Sequence, residues 1–226
     1  HYIHSSYTED NLIWSVQFAD GVLKVLRSYQ YWAVYKISST VQKVSDWHAR
    51  NIYGGYVWHA TGSGKTLTSF KAAQLISNSD YADKVVYLAD RTELGTQALD
   101  DYRGFALDDE EIYSTKNTLK LINLLKDTDK SKKMIVTSIQ KMSKVKLTGM
   151  ATTIDIEKIN NQRIVFIVDE CHRDTFGDML KDIKATFPHA IFFGFSGTPI
   201  FDENMKKLST TADLFGNELC RYLIPD

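Results

Sequence analysis

From about residue 55 onward, short runs of β-branched and aromatic residues alternate with longer stretches whose apolar positions recur at helical spacing. The pattern predicts strands over 55–59, 84–90, 133–138, 163–169 and 190–196, and helices over 65–77, 93–102, 118–126 and 175–186. Each predicted strand is nearly all apolar rather than alternating, as in a strand covered on both faces. Such strands alternating with helices predict an α/β domain with a doubly wound, mainly parallel sheet flanked by helices. Upstream, Val22, Val25, Leu26, Tyr29, Trp32 and Ala33 recur at helical spacing and predict a helix over 22–50. Residues 1–20 fall in no class, and the tail 213–226 reads as a short helix and an exit strand stopping at Pro225.

Composition narrows the class without naming a function. The chain has 226 residues, 43% hydrophobic and 24% charged, ordinary values for a globular chain with a real core. Disordered, collagen-like and coiled-coil readings are excluded. The longest apolar runs, such as Val85 to Ala89 and Ile164 to Val168, are far shorter than the ~20 residues that span a bilayer. The first residues, His1-Tyr2-Ile3-His4, show no initiating Met and no secretory pattern, so a tag or upstream sequence is expected to be missing, or the chain to be part of a longer one. Net charge is -1, from 27 basic and 28 acidic residues, so there is no overall basic excess toward nucleic acid. A local basic strip remains open, because phosphate contacts need only one face. Two cysteines, Cys171 and Cys220, have no metal-ligand spacing and suit a reducing, cytoplasmic setting.

Two segments carry chemistry. The predicted strand ending at Trp58 runs into His59-Ala60-Thr61-Gly62-Ser63-Gly64-Lys65-Thr66 and then a helix. Glycines let such a turn curl until several N–H groups face one anion, and the helix dipole adds positive potential there. Thr61, Gly62, Ser63, Gly64, Lys65 and Thr66 would then cradle ATP, with Lys65 on the β- and γ-phosphates and the Thr66 hydroxyl on Mg²⁺. The common pattern has glycine where this chain has His59, and a bare Gly-x-Gly-Lys-Thr also occurs in incidental loops. The second segment is the strand 164–168 followed by Asp169-Glu170. Asp169 would hold Mg²⁺ through water and Glu170 would orient the attacking water, although adjacent carboxylates also end ordinary strands. Together the segments predict nucleotide hydrolysis, with Lys65, Asp169 and Glu170 as the catalytic set.

Asp169-Glu170-Cys171-His172 resembles the DEAD/DEAH-box signature of superfamily 2 helicases and translocases, and Ser196-Gly197-Thr198-Pro199 resembles their third motif. Further segments resemble the motor (R, HsdR) subunit of type I restriction enzymes. These are Arg27-x-Tyr29-Gln30-x-x-Ala33-Val34, the loop Trp58 to Thr66, Asp90-Arg91-x-x-Leu94-x-x-Gln97, Thr137-x-Ile139-Gln140-Lys141 and Thr210 to Gly216. His59 is itself usual in that family, and the resemblance spans roughly 22–226.

The resemblance implies a RecA-like fold, the first of two motor domains, over 22–213, with a glutamine-motif helix at 22–50. It leaves 1–21 unclassified and makes 214–226 an exit segment toward a second motor domain. It implies an ATP- and Mg²⁺-dependent translocase on double-stranded DNA that works with modification (methyltransferase) and specificity subunits. A separate nuclease domain would cut the DNA, and the motor domain alone would bind ATP·Mg but turn it over slowly. Gln30 would read the adenine edge with its amide, and His172, Ser196, Gly197 and Thr198 would couple the nucleotide to DNA. Arg91, Gln140 and Lys141 would lie on the DNA side. Taken alone, Gln30 reads equally as a polar residue on a helix surface, and Arg91 as a partner of Asp90. The lysines at 126, 130, 132, 133, 141, 144 and 146 read either as a DNA-tracking strip or as a solvated face. A strand-separating DNA or RNA helicase of the same superfamily is the alternative function.

Overall fold

The computed structural model describes residues 17–19, 22–49, 54–89, 100–103, 112–115, 117–129, 133–147, 149–169, 176–201 and 210–223. A short antiparallel pair, β1 (Gln17–Ala19) and β2 (Val22–Lys24), precedes helix α1 (Ser28–Gln42). The helix expected over 22–50 is therefore shorter, and its first turn gives way to a strand. Asp20-Gly21, between Phe18-Ala19 and Val22-Leu23, is a hairpin signal that the helical spacing of Val22, Val25 and Leu26 concealed.

The main sheet has seven strands in the order β5-β6-β4-β7-β8-β3-β9, and every pairing is parallel. They are β3 (Gly55–His59), β4 (Lys84–Ala89), β5 (Ile112–Ser114), β6 (Met134–Ser138), β7 (Ile164–Val168), β8 (Ile191–Ser196) and β9 (Glu218–Tyr222). Helices α2 (Lys65–Asn78), α3 (described over 100–103), α4 (Thr118–Lys126), α5 (Ile139–Leu147), α6 (Thr153–Asn160), α7 (Phe176–Thr186) and α8 (Thr211–Phe215) complete it. The five expected strands are present to within a residue or so at their described ends. The 93–102 helix lies mostly outside the described residues.

Side-chain alternation sorts the strands between two layers. Val57, Val85, Tyr87, Val165, Ile167 and Phe193 pack with Val34, Ile37, Phe70 and Ile76 of α1 and α2. Tyr56, Val86, Ile135, Phe166 and Phe192 face the other way, against Leu121, Met142, Ile159, Leu180 and Phe215 of α4 to α8. Both faces are covered, which accounts for the unbroken apolar runs.

Besides the β1–β2 pair, three further elements were not expected: β5, α5 and α6. β5 is only three residues long, below what periodicity resolves. α5 carries four of its residues as Gln140, Lys141, Lys144 and Lys146, so charge hid its buried Ile139, Met142 and Val145. α6 opens with a reciprocal cap, Thr152 Oγ1 accepting from Asp155 N at 3.1 Å and Asp155 Oδ2 accepting from Thr152 N at 3.0 Å. At the opposite, amino edge of the sheet, Arg163 forks onto Asp83 at 2.7 and 3.1 Å and ties β7 to β4. Burial alone would raise the Asp83 carboxyl, but the Arg163 hydrogen bonds outweigh it and hold the pKa below its usual value.

Candidate nucleotide site

The loop between β3 and α2 lies at the carboxyl edge of the sheet, the edge where doubly wound folds bind ligands. Gly62 and Gly64 both adopt φ +80°, a left-handed conformation open to glycine at little cost. Gly64 is the N-cap of α2 and supplies no side-chain cap, so the dipole end of a fourteen-residue helix opens into the loop. Ser63 N donates to Ala60 O at 3.1 Å and closes the turn, while the buried Ser63 Oγ has no hydrogen-bond partner among the described residues. Lys65 is 9% exposed, Thr66 is half-buried, and Thr61 and Gly62 are open to solvent.

Gln30 sits under this loop rather than on a helix surface. It is 4% exposed; its Nε2 donates to Gly64 O at 3.2 Å and Ser63 O at 3.4 Å, and its Oε1 accepts from Arg27 N at 2.9 Å. A Cβ on Gly64 would stand 2.7 Å from Gln30 Nε2 and would displace that amide, while the left-handed backbone itself favours glycine. Next to it, the Tyr29 hydroxyl donates to Ser63 O at 2.7 Å, and its ring stacks on Tyr222 of β9 at 3.6 Å. Tyr222 O in turn accepts from Ala60 N at 3.0 Å. Burial raises the Tyr29 pKa, with Arg27 partly opposing it.

His59 closes the bottom of the loop. It is fully buried, Tyr29 meets it edge-on at 5.2 Å, and neither ring nitrogen has a hydrogen-bond partner among the described residues. Burial, aided by the Lys65 ammonium, lowers its pKa to about 4, so the imidazole is neutral at physiological pH.

The acidic strand and the Ser-Gly-Thr-Pro loop end on the same edge. β8 lies between β3 and β7, so Ser196 at the end of β8, Gly197 after it and Asp169 after β7 are carried by strands at most two positions from the loop strand. A Cβ on Gly197 would lie 3.1 Å from Thr61 Oγ1 and 3.5 Å from Lys65 Nζ, so this loop touches the phosphate loop. Ser196 is buried and its Oγ accepts from Thr198 N at 3.0 Å, while Thr198 is exposed. Gly197 O accepts from the Trp58 indole at 3.1 Å, and Arg221 of β9 lies over the Trp58 ring at 4.3 Å. Asp169 continues the side-chain parity of Val165 and Ile167 and so points to the α2 layer; Tyr87 Oη donates to its Oδ2 at 2.6 Å. Glu170, His172 and Arg91 lie outside the described residues.

Gln140 and Lys141 stand apart from the loop, at the start of α5. With Asn117, Thr118, Ser138 and Lys144 they line a groove of about 640 Å³ at the same carboxyl edge. Lys141 Nζ donates to Thr115 O at 2.6 Å. The lysines do not form one strip. Lys133 precedes β6 and donates to Ser79 O at the amino edge, Lys126 pairs with Asp155, and 130 and 132 lie outside the described residues.

The donor set fits a magnesium nucleotide: an uncapped helix start with flanking glycines for phosphate, an amine beside it, and a hydroxyl and a carboxylate as hard oxygen donors. Trp58, Tyr29 and Tyr222 had no role assigned from sequence, because aromatic residues in or beside apolar runs look like core. Only contacts across elements reveal their polar tips.

Fold and site together define a RecA-like phosphate-loop domain of the superfamily 2 motor type. The SWI2/SNF2 ATPase family matches residues 29–226, and the chain belongs to that family and to the endonuclease subunits of type I restriction enzymes. It is 44% identical over 208 residues to such a subunit from Staphylococcus aureus strain COL, covering 92% of this chain and 21% of that protein. It is 37% identical to the C-terminal part of one from Mycoplasma pneumoniae, over 73% of this chain and 80% of that one. The chain thus spans about a fifth of the length of the staphylococcal relative. The UvsW helicase of bacteriophage T4 shares the fold, with TM-score 0.61 at 18% identity over 93% of this chain and 65% of that structure. So does a nuclease-deletion form of the type ISP restriction-modification enzyme LlaGI bound to a DNA substrate mimic, with TM-score 0.58 at 19% identity over 88% of this chain and 20% of that one. Among the described residues no helix is long and apolar enough to cross a membrane.

Proposed function

We propose that this chain is the first motor domain (22–213) of a double-stranded DNA translocase that binds and hydrolyses ATP·Mg. Its movement of DNA would precede cleavage by a separate nuclease domain, within a cytoplasmic complex holding modification and specificity subunits. The observation that carries the reading is the approach of Gly197 to Lys65 Nζ and Thr61, which sets the Ser-Gly-Thr-Pro segment against the loop before α2. The kinship with restriction-enzyme endonuclease subunits supports a DNA motor over a nucleotide-gated scaffold.

Thr66 and, through water, Asp169 would hold magnesium, which would supply charge neutralisation for the phosphates. Lys65 and the α2 N-terminus bind the phosphates, Glu170 orients the attacking water, and Gln30 serves the adenine edge. His172, Ser196, Gly197 and Thr198 link nucleotide state to DNA, which Arg91, Gln140 and Lys141 contact through its backbone. Within 214–226, β9 joins this domain's sheet beside β3, and the stretch then leads toward a second motor domain. Displacement of a third strand from intact duplex, set beside a strand-separation assay, tests the reading in the full-length subunit. ATP-dependent third-strand displacement without unwinding is expected, and unwinding without duplex tracking would establish the helicase alternative. Lys65→Ala is expected to abolish ATP binding, while Glu170→Gln is expected to bind ATP and stall.

A further inference from the structure

Two buried tyrosines, given no part in the function proposed above, lie between Asp169 and the first turn of α2. Tyr87, in the middle of β4, is 1% exposed, and its phenol donates to Asp169 Oδ2 at 2.6 Å. Tyr102, in α3, is fully buried and its ring meets Tyr87 at 4.7 Å. The Tyr102 phenol donates to Ser69 Oγ at 3.0 Å, and Ser69 Oγ donates to Thr66 O at 2.9 Å. The donors balance: the one Ser69 proton goes to Thr66 O, so the oxygen is left to accept from Tyr102. A line of hydrogen bonds, joined by the ring contact between Tyr87 and Tyr102, therefore runs from the carboxylate of Asp169 to the backbone of Thr66.

Phenylalanine would fill the same ring volumes, and burying a hydroxyl is unfavourable unless it is hydrogen-bonded. Packing alone does not call for these two hydroxyls. A hydrogen bond from behind fixes the rotamer of a carboxylate, and partners of that kind tune the groups that hold a metal. We propose that Tyr87 and Tyr102 are positioning residues that set the orientation and spacing of the two protein arms, Asp169 and Thr66, offered to magnesium. The inference rests on the ATP·Mg reading of the site.

The test titrates Mg²⁺ against binding of a fluorescent N-methylanthraniloyl-ATP to the 226-residue chain, with EDTA as the metal-free limit. Tyr87→Phe is expected to raise the Mg²⁺ midpoint by about tenfold, the usual effect of losing an outer-shell partner, while affinity in EDTA stays unchanged. Tyr102→Phe is expected to raise it by a smaller factor. Because the Tyr87 phenol acts through the carboxylate, Tyr87→Phe adds nothing further in an Asp169→Asn background. A Tyr87→Phe midpoint equal to that of the unaltered chain, or a full additional effect beside Asp169→Asn, overturns the inference alone. Binding by the unaltered chain that ignores Mg²⁺ overturns the reading of the site and this inference with it. If Tyr87→Phe does not fold, the Tyr102→Phe midpoint decides, and a value equal to that of the unaltered chain overturns the inference.

Discussion

His59 stands where the common phosphate loop has glycine, and its surroundings make it a titration sensor of the fold. Its pKa is lowered to about 4 by burial and by the Lys65 ammonium. An unfolded histidine takes its proton near pH ~6.5. Between those values the folded chain binds fewer protons than the unfolded one, so stability rises with pH through that window. The contribution is complete above pH ~6.5 and lost as pH falls toward 4, on the order of 2–3 kcal/mol in all. Urea midpoints measured from pH 7 to 4 for His59→Gln should fall less steeply than for the unaltered chain. A second residue-scale prediction concerns Gly64, where φ is +80° and a Cβ would press on Gln30 at 2.7 Å. Gly64→Ala is expected to cost about 1–2 kcal/mol in denaturant unfolding from the left-handed backbone alone. It should weaken ATP binding as well, measurable by calorimetry. The glycine pattern, Lys65 and Asp169 were legible in the chain because their chemistry needs those residue types at that spacing. Gln30 was singled out by the resemblance alone, because its hydrogen bonds to Ser63 O and Gly64 O join residues 33 and 34 positions apart.

At the scale of elements, the apolar runs announced five strands because a strand buried on both faces has almost no polar positions. α6 escaped notice although its cap is a sequence feature: Thr152 and Asp155 hold each other's N–H groups, as the structure shows. Thr152→Ala is expected to lower stability by about 1 kcal/mol, read from the urea midpoint with the slope unchanged. The edge strand β9 has a larger part than its half-buried side chains suggest. Tyr222 stacks on Tyr29, Arg221 covers Trp58, and Lys36 Nζ of α1 donates to Leu219 O at 2.6 Å. These contacts brace the phosphate loop and the third-motif loop from one side. Trp58→Phe keeps a ring under Arg221 but removes the donor to Gly197 O. That change should cost about 1 kcal/mol in stability and reduce ATP turnover more than ATP affinity, separable in kcat and KM.

For the whole molecule, ligand binding to the folded form alone shifts the unfolding equilibrium by mass action. At ATP·Mg near a hundred times its dissociation constant the gain is about 2.7 kcal/mol, which for a domain of this size raises the melting temperature by roughly 5–10 °C. Differential scanning fluorimetry with ATP and Mg²⁺ should show that rise, and Lys65→Ala should abolish it.

The chain by itself determined its class: apolar strands alternating with helices, a glycine turn before Lys65-Thr66 and a strand ending in acid. Each of these follows from local chemistry, namely which residues can be buried, curl tightly or carry charge. The tertiary structure decided what lies beside what. Strand order brought Gly197 against Lys65, folded Tyr222 under the loop, and set Tyr87, 82 residues away in the chain, against Asp169. Pairing order and side-chain contacts between distant elements depend on packing the whole sheet at once. No window of sequence contains that information.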